Sequence, residues 1–204
     1  MPRVENTSPL QRRTPRQHRS RETVDAILEA AARILRRDGP DALTTNRVSE
    51  VAGVSIGGLY GYFPNKTAIL VALARRMMAQ DEEALVAALA DAPAREDVLQ
   101  ALVHTLIERH RADVAVRRAV MSVHHAHGLS MEHSRTAQQA IARILERRPD
   151  LSANGAVDPV RLFVLTRALL GVARAMIEEE PEAGPALEAE VVRLARLCLA
   201  PTAA

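Results

Sequence analysis

Apolar residues in this chain recur at three- and four-residue spacing in one segment after another, and no segment shows sustained period-two alternation. That periodicity puts successive apolar side chains on one face of a helix and gives a strand no face to bury. In the first such segment Val24, Ile27, Leu28, Ala31, Ile34 and Leu35 fall on a single stripe. Ser20 is expected to cap this helix, with Glu22 in its first turn. Arg36 and Arg37 sit at its negative end, and Gly39-Pro40 stops it. Composition then restricts what the stripes can enclose. Aromatic residues make up 2% of the chain and Trp is absent. Alanine, leucine, valine and isoleucine must fill the core, which suits closely packed helices. The expected fold is all-α, with about nine helices and no sheet.

A short helix is expected from Thr45 to Ala52, capped by Thr44, then a turn at Gly53 and a second short helix capped by Ser55 and ending near Tyr60. Two short helices joined by a tight glycine turn make a helix-turn-helix unit, although the spacing alone also describes an ordinary helical hairpin. A long helix capped by Asn65 runs toward residue 90, about 25 residues or roughly 37 Å. Further helices are expected at 94–111, 114–127, 130–148, 159–180 and 185–199, with a loop rich in Pro, Asn, Gly and Ser over 149–157. The expected organisation is a flexible basic arm (1–19), a helix-turn-helix head (20–66) and a helical body (67–204).

The formal net charge of +2 conceals an asymmetry. Residues 1–66 carry an excess of four positive charges, and residues 67–204 an excess of two negative ones. Residues 1–21 contain six arginines and a single acid before Arg21, Glu5. A basic end on a slightly acidic body points to a polyanion, although basic tails are often merely solvated. The single cysteine, Cys198, excludes an internal disulfide framework and fits a reducing cytoplasm. No N-terminal apolar stretch resembles a signal peptide, and no run of about 18 uncharged apolar residues is present. A soluble cytoplasmic protein with no membrane partner is expected.

The stretch Thr44–Leu70 holds Tyr60, Tyr62 and Phe63, three of the four aromatic residues in the chain, and its only lysine, Lys66. Lysine is a compact charge suited to a phosphate oxygen, and Lys66 lies just inside a helix N-terminus, where backbone N–H groups also favour anions. Tyrosine hydroxyls beside it can donate to the same backbone. A packing cluster beside a solvated lysine is the plainer alternative, and it is the one preferred for Phe63. No HExxH, P-loop, nucleophile-elbow or GxGxxG sequence occurs, so no catalytic residue and no cofactor are expected.

This segment resembles the tetracycline-repressor (TetR) family of transcriptional regulators. The family's Leu-Tyr-x-His/Tyr-Phe-x-x-Lys run is matched by Leu59, Tyr60, Tyr62, Phe63 and Lys66, and its Ala-Gly-Val-Ser turn by Ala52, Gly53, Val54 and Ser55. The likeness covers roughly residues 20–70. It implies that Thr44, Tyr60, Tyr62 and Lys66 bind DNA phosphates, and that Arg47, Ser55, Ile56, Gly57 and Gly58 read bases. Two departures from the family pattern stand out. Ser49 replaces a common alanine between the two short helices. Ile56-Gly57-Gly58 offers no hydrogen-bonding side chain, so readout there rests on apolar contact with a thymine methyl or on close backbone approach. Arg12, Arg13, Arg16 and Arg19 are candidates for an adjacent minor groove or for electrostatic attraction alone.

The helix from Pro159 to Ile177 is apolar nearly all round, which requires cover on more than one side. With the last helix it is expected to form a homodimer interface through Phe163, Leu169, Leu170, Leu187, Val191, Leu194 and Cys198; a wholly intramolecular core is the alternative. The middle helices are expected to enclose a small-molecule effector site lined by Met77, Leu102, Leu106, Met121, His124 and Met131. His124 and His127 share one face at a spacing that can chelate a metal, but His104, His110, His124, His125, His127 and His133 read more simply as solvated or packed, and no metal is expected. The expected function is a ligand-responsive regulator of operator DNA, a repressor released by a small, largely apolar molecule. A DNA-independent helical interaction protein and a histidine-based metalloenzyme are the readings from other classes.

Overall fold

The computed structural model describes residues 18–91, 95–126, 130–151, 158–179 and 184–200. Among these residues the chain forms nine α-helices and two 3-10 turns, with no strand. The helices are α1 (His18–Asp38), α2 (Thr45–Ala52), α3 (Ile56–Tyr62), α4 (Lys66–Asp91), α5 (Arg95–Arg111), α6 (Val114–Ala126), α7 (Ser130–Arg147), α8 (Pro159–Glu178) and α9 (Pro185–Leu199). The 3-10 turns are Pro40–Ala42 and Pro149–Leu151.

The caps of the head follow from local chemistry. Thr44 Oγ1 accepts the Arg47 N–H at 3.2 Å, Ser55 Oγ accepts the Gly58 N–H at 3.1 Å, and Asn65 Oδ1 accepts the Ala68 N–H at 2.9 Å. Each satisfies one of the N–H groups that a helix start leaves without a partner. Gly53 ends α2 in the left-handed region at φ 67°, a conformation that other residues adopt only at a cost. The Val54 N–H then reaches back to the Ser49 carbonyl at 3.0 Å and closes the turn between α2 and α3. Ser20 does not cap α1, because the helix already begins at His18 and Ser20 lies inside it. The start is earlier because residues 18–21 (His-Arg-Ser-Arg) contain no breaker, and one hydroxyl does not outweigh continued backbone bonding. Residues 1–17, with Arg12, Arg13 and Arg16, and residues 152–157 of the expected loop lie outside the described residues.

The described residues divide into two compact units, those within 1–77 and 115–127 and those within 78–114 and 128–204. This division differs from a boundary at residue 66. The first turns of α4 bury Ala68, Ile69, Leu70, Val71, Leu73 and Ala74, and all but Val71 belong to the same core as Ile27, Ile34, Leu35, Val48, Leu59 and Phe63. Val116, Ala119 and Val120 of α6 complete that first core. The second unit is built on α5 against α9 and α8, α7 against α8, and α8 against α9. Its core holds Val98, Leu99, Val103, Ile107, Leu151, Leu165 and Val191, among others. No helix among the described residues is long and apolar enough to cross a membrane.

Candidate nucleic-acid interface

In α3 the inward side is held by Leu59 and by Phe63 just after the helix, both fully buried. Ser55, Ile56, Gly57, Gly58 and Tyr60 are exposed, Ile56 at 39% and Tyr60 at 40%. A methyl group added at Gly57 would meet nothing within 4 Å, whereas one at Gly58 would stand 3.0 Å from the capping Ser55 oxygen. Gly58 therefore has a reason within the chain. Gly57 has none, although a glycine in a helix costs about 1 kcal/mol relative to alanine.

Tyr60 is tied to α2, with its hydroxyl 3.1 Å from Thr45 Oγ1, next to the Thr44 cap. This joins the start of α2 to the outer side of α3. Thr44 is exposed; its oxygen accepts the capping bond, and its O–H remains a donor. Tyr62 is half-buried against the head core, so the adjoining tyrosines differ in role. Lys66 is exposed at the first position of α4. Ser49 is buried between the short helices, where its hydroxyl donates to the Asn46 carbonyl at 2.8 Å and so avoids an unpaired polar group.

Arg47 does not project freely. Its Nη2 donates to Asp38 Oδ2 at 2.8 Å, and Arg37 Nε donates to both oxygens of the same carboxylate. Hydrogen bonding from Arg37, with the positive charges of Arg37 and Arg47 beside it, holds the Asp38 carboxyl below the usual carboxylate range. Asp38 and Thr45 are the partners that sequence reasoning missed. The tandem hydroxyls of Thr44-Thr45 were visible in the sequence, but nothing in the spacing pairs Asp38 with Arg47 across a helix end and a 3-10 turn.

The body residues divide. Val191 is 3% exposed and belongs to the protomer's own core, so it presents no surface to a partner. Leu169, Leu187 and Cys198 are half-buried against that core, and Leu170 and Leu194 are half-buried. Phe163 is exposed at 48%, with the Arg167 guanidinium 5.0 Å from its ring centre. Val160, Val164 and Leu197 are exposed as well and were not anticipated. Of the expected effector-site residues, Met77 and Met121 lie in the first unit, and Leu102 and Leu106 in the second. The side chains of His124, His125 and Met131 lie outside the described residues, as do those of His127 and His133. His104 sits 3.1 Å from Glu188, and the His110 ring pairs with the Leu106 carbonyl at 2.8 Å.

A short helix, a left-handed glycine turn and a second short helix with its outer side uncovered define a helix-turn-helix protein. Residues 27–73 match the bacterial regulatory proteins of the tetR family, and residues 96–199 match the tetracyclin repressor-like C-terminal domain. The chain belongs to the TetR family of bacterial regulatory proteins. It is 40% identical over 57 residues to the class A tetracycline repressor protein from transposon 1721 of Escherichia coli, which covers 28% of this chain and 26% of that one. It is 32% identical over 103 residues to the nucleoid occlusion factor SlmA of Actinobacillus pleuropneumoniae, covering 48% of this chain and 49% of that protein. The chain thus matches about half the length of these relatives or less. In fold it is similar to a TetR transcriptional regulator from Rhodococcus sp. RHA1, with TM-score 0.63 and 21% identity over 89% of this chain and 98% of that one. It is also similar to a multidrug binding protein, EbrR, complexed with imidazole, with TM-score 0.57 and 21% identity over 89% and 96% of the two chains.

Proposed function

We propose that the protein is a homodimeric repressor that binds operator DNA through α2 and α3 and releases it when a small, largely apolar molecule binds the helical body. The observation that carries this reading is the exposed part of α3, where Ile56 and Tyr60 are uncovered and an unexplained Gly57 lies opposite the fully buried Leu59. The missing side chain at Gly57 suits close approach of the backbone to a groove, and Ile56 suits a thymine methyl. Thr44, Tyr60, Tyr62 and Lys66 anchor phosphates in this reading, and Arg47 and Ser55 supply polar base contacts with Ile56, Gly57 and Gly58. Lys66→Ala tests the anchoring. It should weaken binding to specific and random duplex alike and reduce the slope of log affinity against log salt by about one. A loss confined to the specific sequence, with the slope unchanged, would contradict that role.

Release follows from linkage. An effector acts only through its differential affinity for the two states. A 100-fold loss of operator affinity requires about 2.7 kcal/mol of coupling, and operator DNA must weaken the effector by the same factor. Imidazole, the ligand of the EbrR complex, serves as a first probe alongside a panel of hydrophobic amines and acids. Calorimetric titration with and without operator duplex should show the reciprocal loss for any inducer. Equal affinities for every compound that binds would contradict ligand-controlled release.

A further inference from the structure

The Arg47 guanidinium has one acceptor among the described residues, the carboxylate of Asp38 at the last position of α1. That carboxylate is itself clamped, because Arg37 Nε donates to its two oxygens at 3.1 and 3.2 Å. The Asp38 side chain is 25% exposed, against 39% for Arg47 and 67% for Arg37, so the acid is the most enclosed member of the trio. A guanidinium is a rigid planar fork of five donors. Holding one terminal nitrogen restricts where the fork can point and leaves other donors for a base edge, such as guanine O6 and N7. An arginine without that support loses more side-chain freedom on binding and meets phosphates as readily as bases.

We propose that Asp38 is a positioning residue for DNA recognition, its Arg37-clamped carboxylate holding Arg47 in the one orientation in which that side chain reads a base pair in each half-site. The inference rests on the DNA-binding reading above and on the part of Arg47 in it. It separates two effects of the carboxylate. As a negative charge near a polyanion, Asp38 weakens binding to DNA of any sequence. As a support, it sharpens the choice among sequences. A residue that only stabilised the fold would do neither selectively.

The wild type, Arg47→Ala, Asp38→Ala and Asp38→Glu are titrated against the duplex that the wild type selects from randomised DNA, against each single-base variant of that duplex, and against random duplex. Arg47→Ala should lose about tenfold discrimination at one base pair of each half-site. Asp38→Ala should lose most of the same discrimination at the same base pair and keep it elsewhere, while binding random duplex at least as tightly as the wild type. Asp38→Glu, which restores a carboxylate, should recover part of the loss. Discrimination is a ratio of two affinities measured on one preparation, so partial misfolding of a variant leaves it unchanged. Full discrimination by Asp38→Ala overturns the inference, and so does a loss spread evenly over all positions. If Arg47→Ala relaxes no position, the role of Arg47 fails and the inference fails with it. A wild type that selects no sequence overturns the DNA-binding function itself, so the three failures are distinguishable.

Discussion

Phe63→Ala should destabilise the first unit by about 3–5 kcal/mol and abolish DNA binding with it. Phe63 is fully buried and follows directly on α3, where its N–H closes the helix on the Leu59 carbonyl at 2.9 Å. Only Leu59 within the seven residues of α3 is buried, so the helix depends on Leu59 and Phe63 for its seat in the core. The core around them draws on α1, α2, α4 and α6, and neighbours held from so many directions collapse poorly into a vacated ring volume. Urea unfolding followed by circular dichroism measures the loss. Ile56→Ala is the control, since a side chain 39% exposed should cost far less. Equal unfolding midpoints for wild type and Phe63→Ala would contradict the packing described for the head.

Leu197→Arg should leave the fold intact, convert the protein to a monomer, and weaken binding to a two-half-site operator by about 10²–10⁴-fold. Val160, Phe163 and Val164 on α8 and Leu197 on α9 are 68%, 48%, 47% and 65% exposed, on two helices that pack side by side. We propose that a second copy covers them through a two-fold interface. Leu197 is the discriminating position because it is largely outside the protomer core. Val191 is inside that core and Leu194 is half-buried, so substitutions there mix folding with association. Sedimentation velocity reads the oligomeric state, and titration with a single half-site, which should be unaffected, shows that the head is intact. A variant that remains dimeric would place the interface elsewhere.

The sequence was most legible where structure is set locally. Thr44, Ser55 and Asn65 cap their helices, and Gly53 turns left-handed, because each outcome depends on a few adjacent atoms. The 3-10 turn at Pro40–Ala42 left no trace because three residues carry no periodicity. The assignment of helices to units was equally hidden. The apolar stripe of α6 that carries Val116, Ala119 and Val120 does not differ in kind from stripes that pack in the body, and only the fold assigns it to the head. The same limit explains Val191 and Leu197. Periodicity shows that α9 has apolar residues to bury, but not which of them its own chain covers. In the interface, exposure separates Ile56 and Tyr60 from Phe63, whereas the ion pair between Asp38 and Arg47 joins residues from different elements and leaves no pattern in the sequence.

The central claim is sequence-specific binding of duplex DNA by two symmetry-related heads. Its most direct test is selection of the wild-type protein's preferred sequence from a pool of randomised duplexes, followed by titration of the enriched site at several salt concentrations. The account predicts an inverted repeat whose half-sites are centred about 34–36 Å apart or a multiple of that, bound with an affinity that falls steeply as salt rises. A pool that stays random through repeated rounds, or an enriched site without two-fold symmetry, would contradict it.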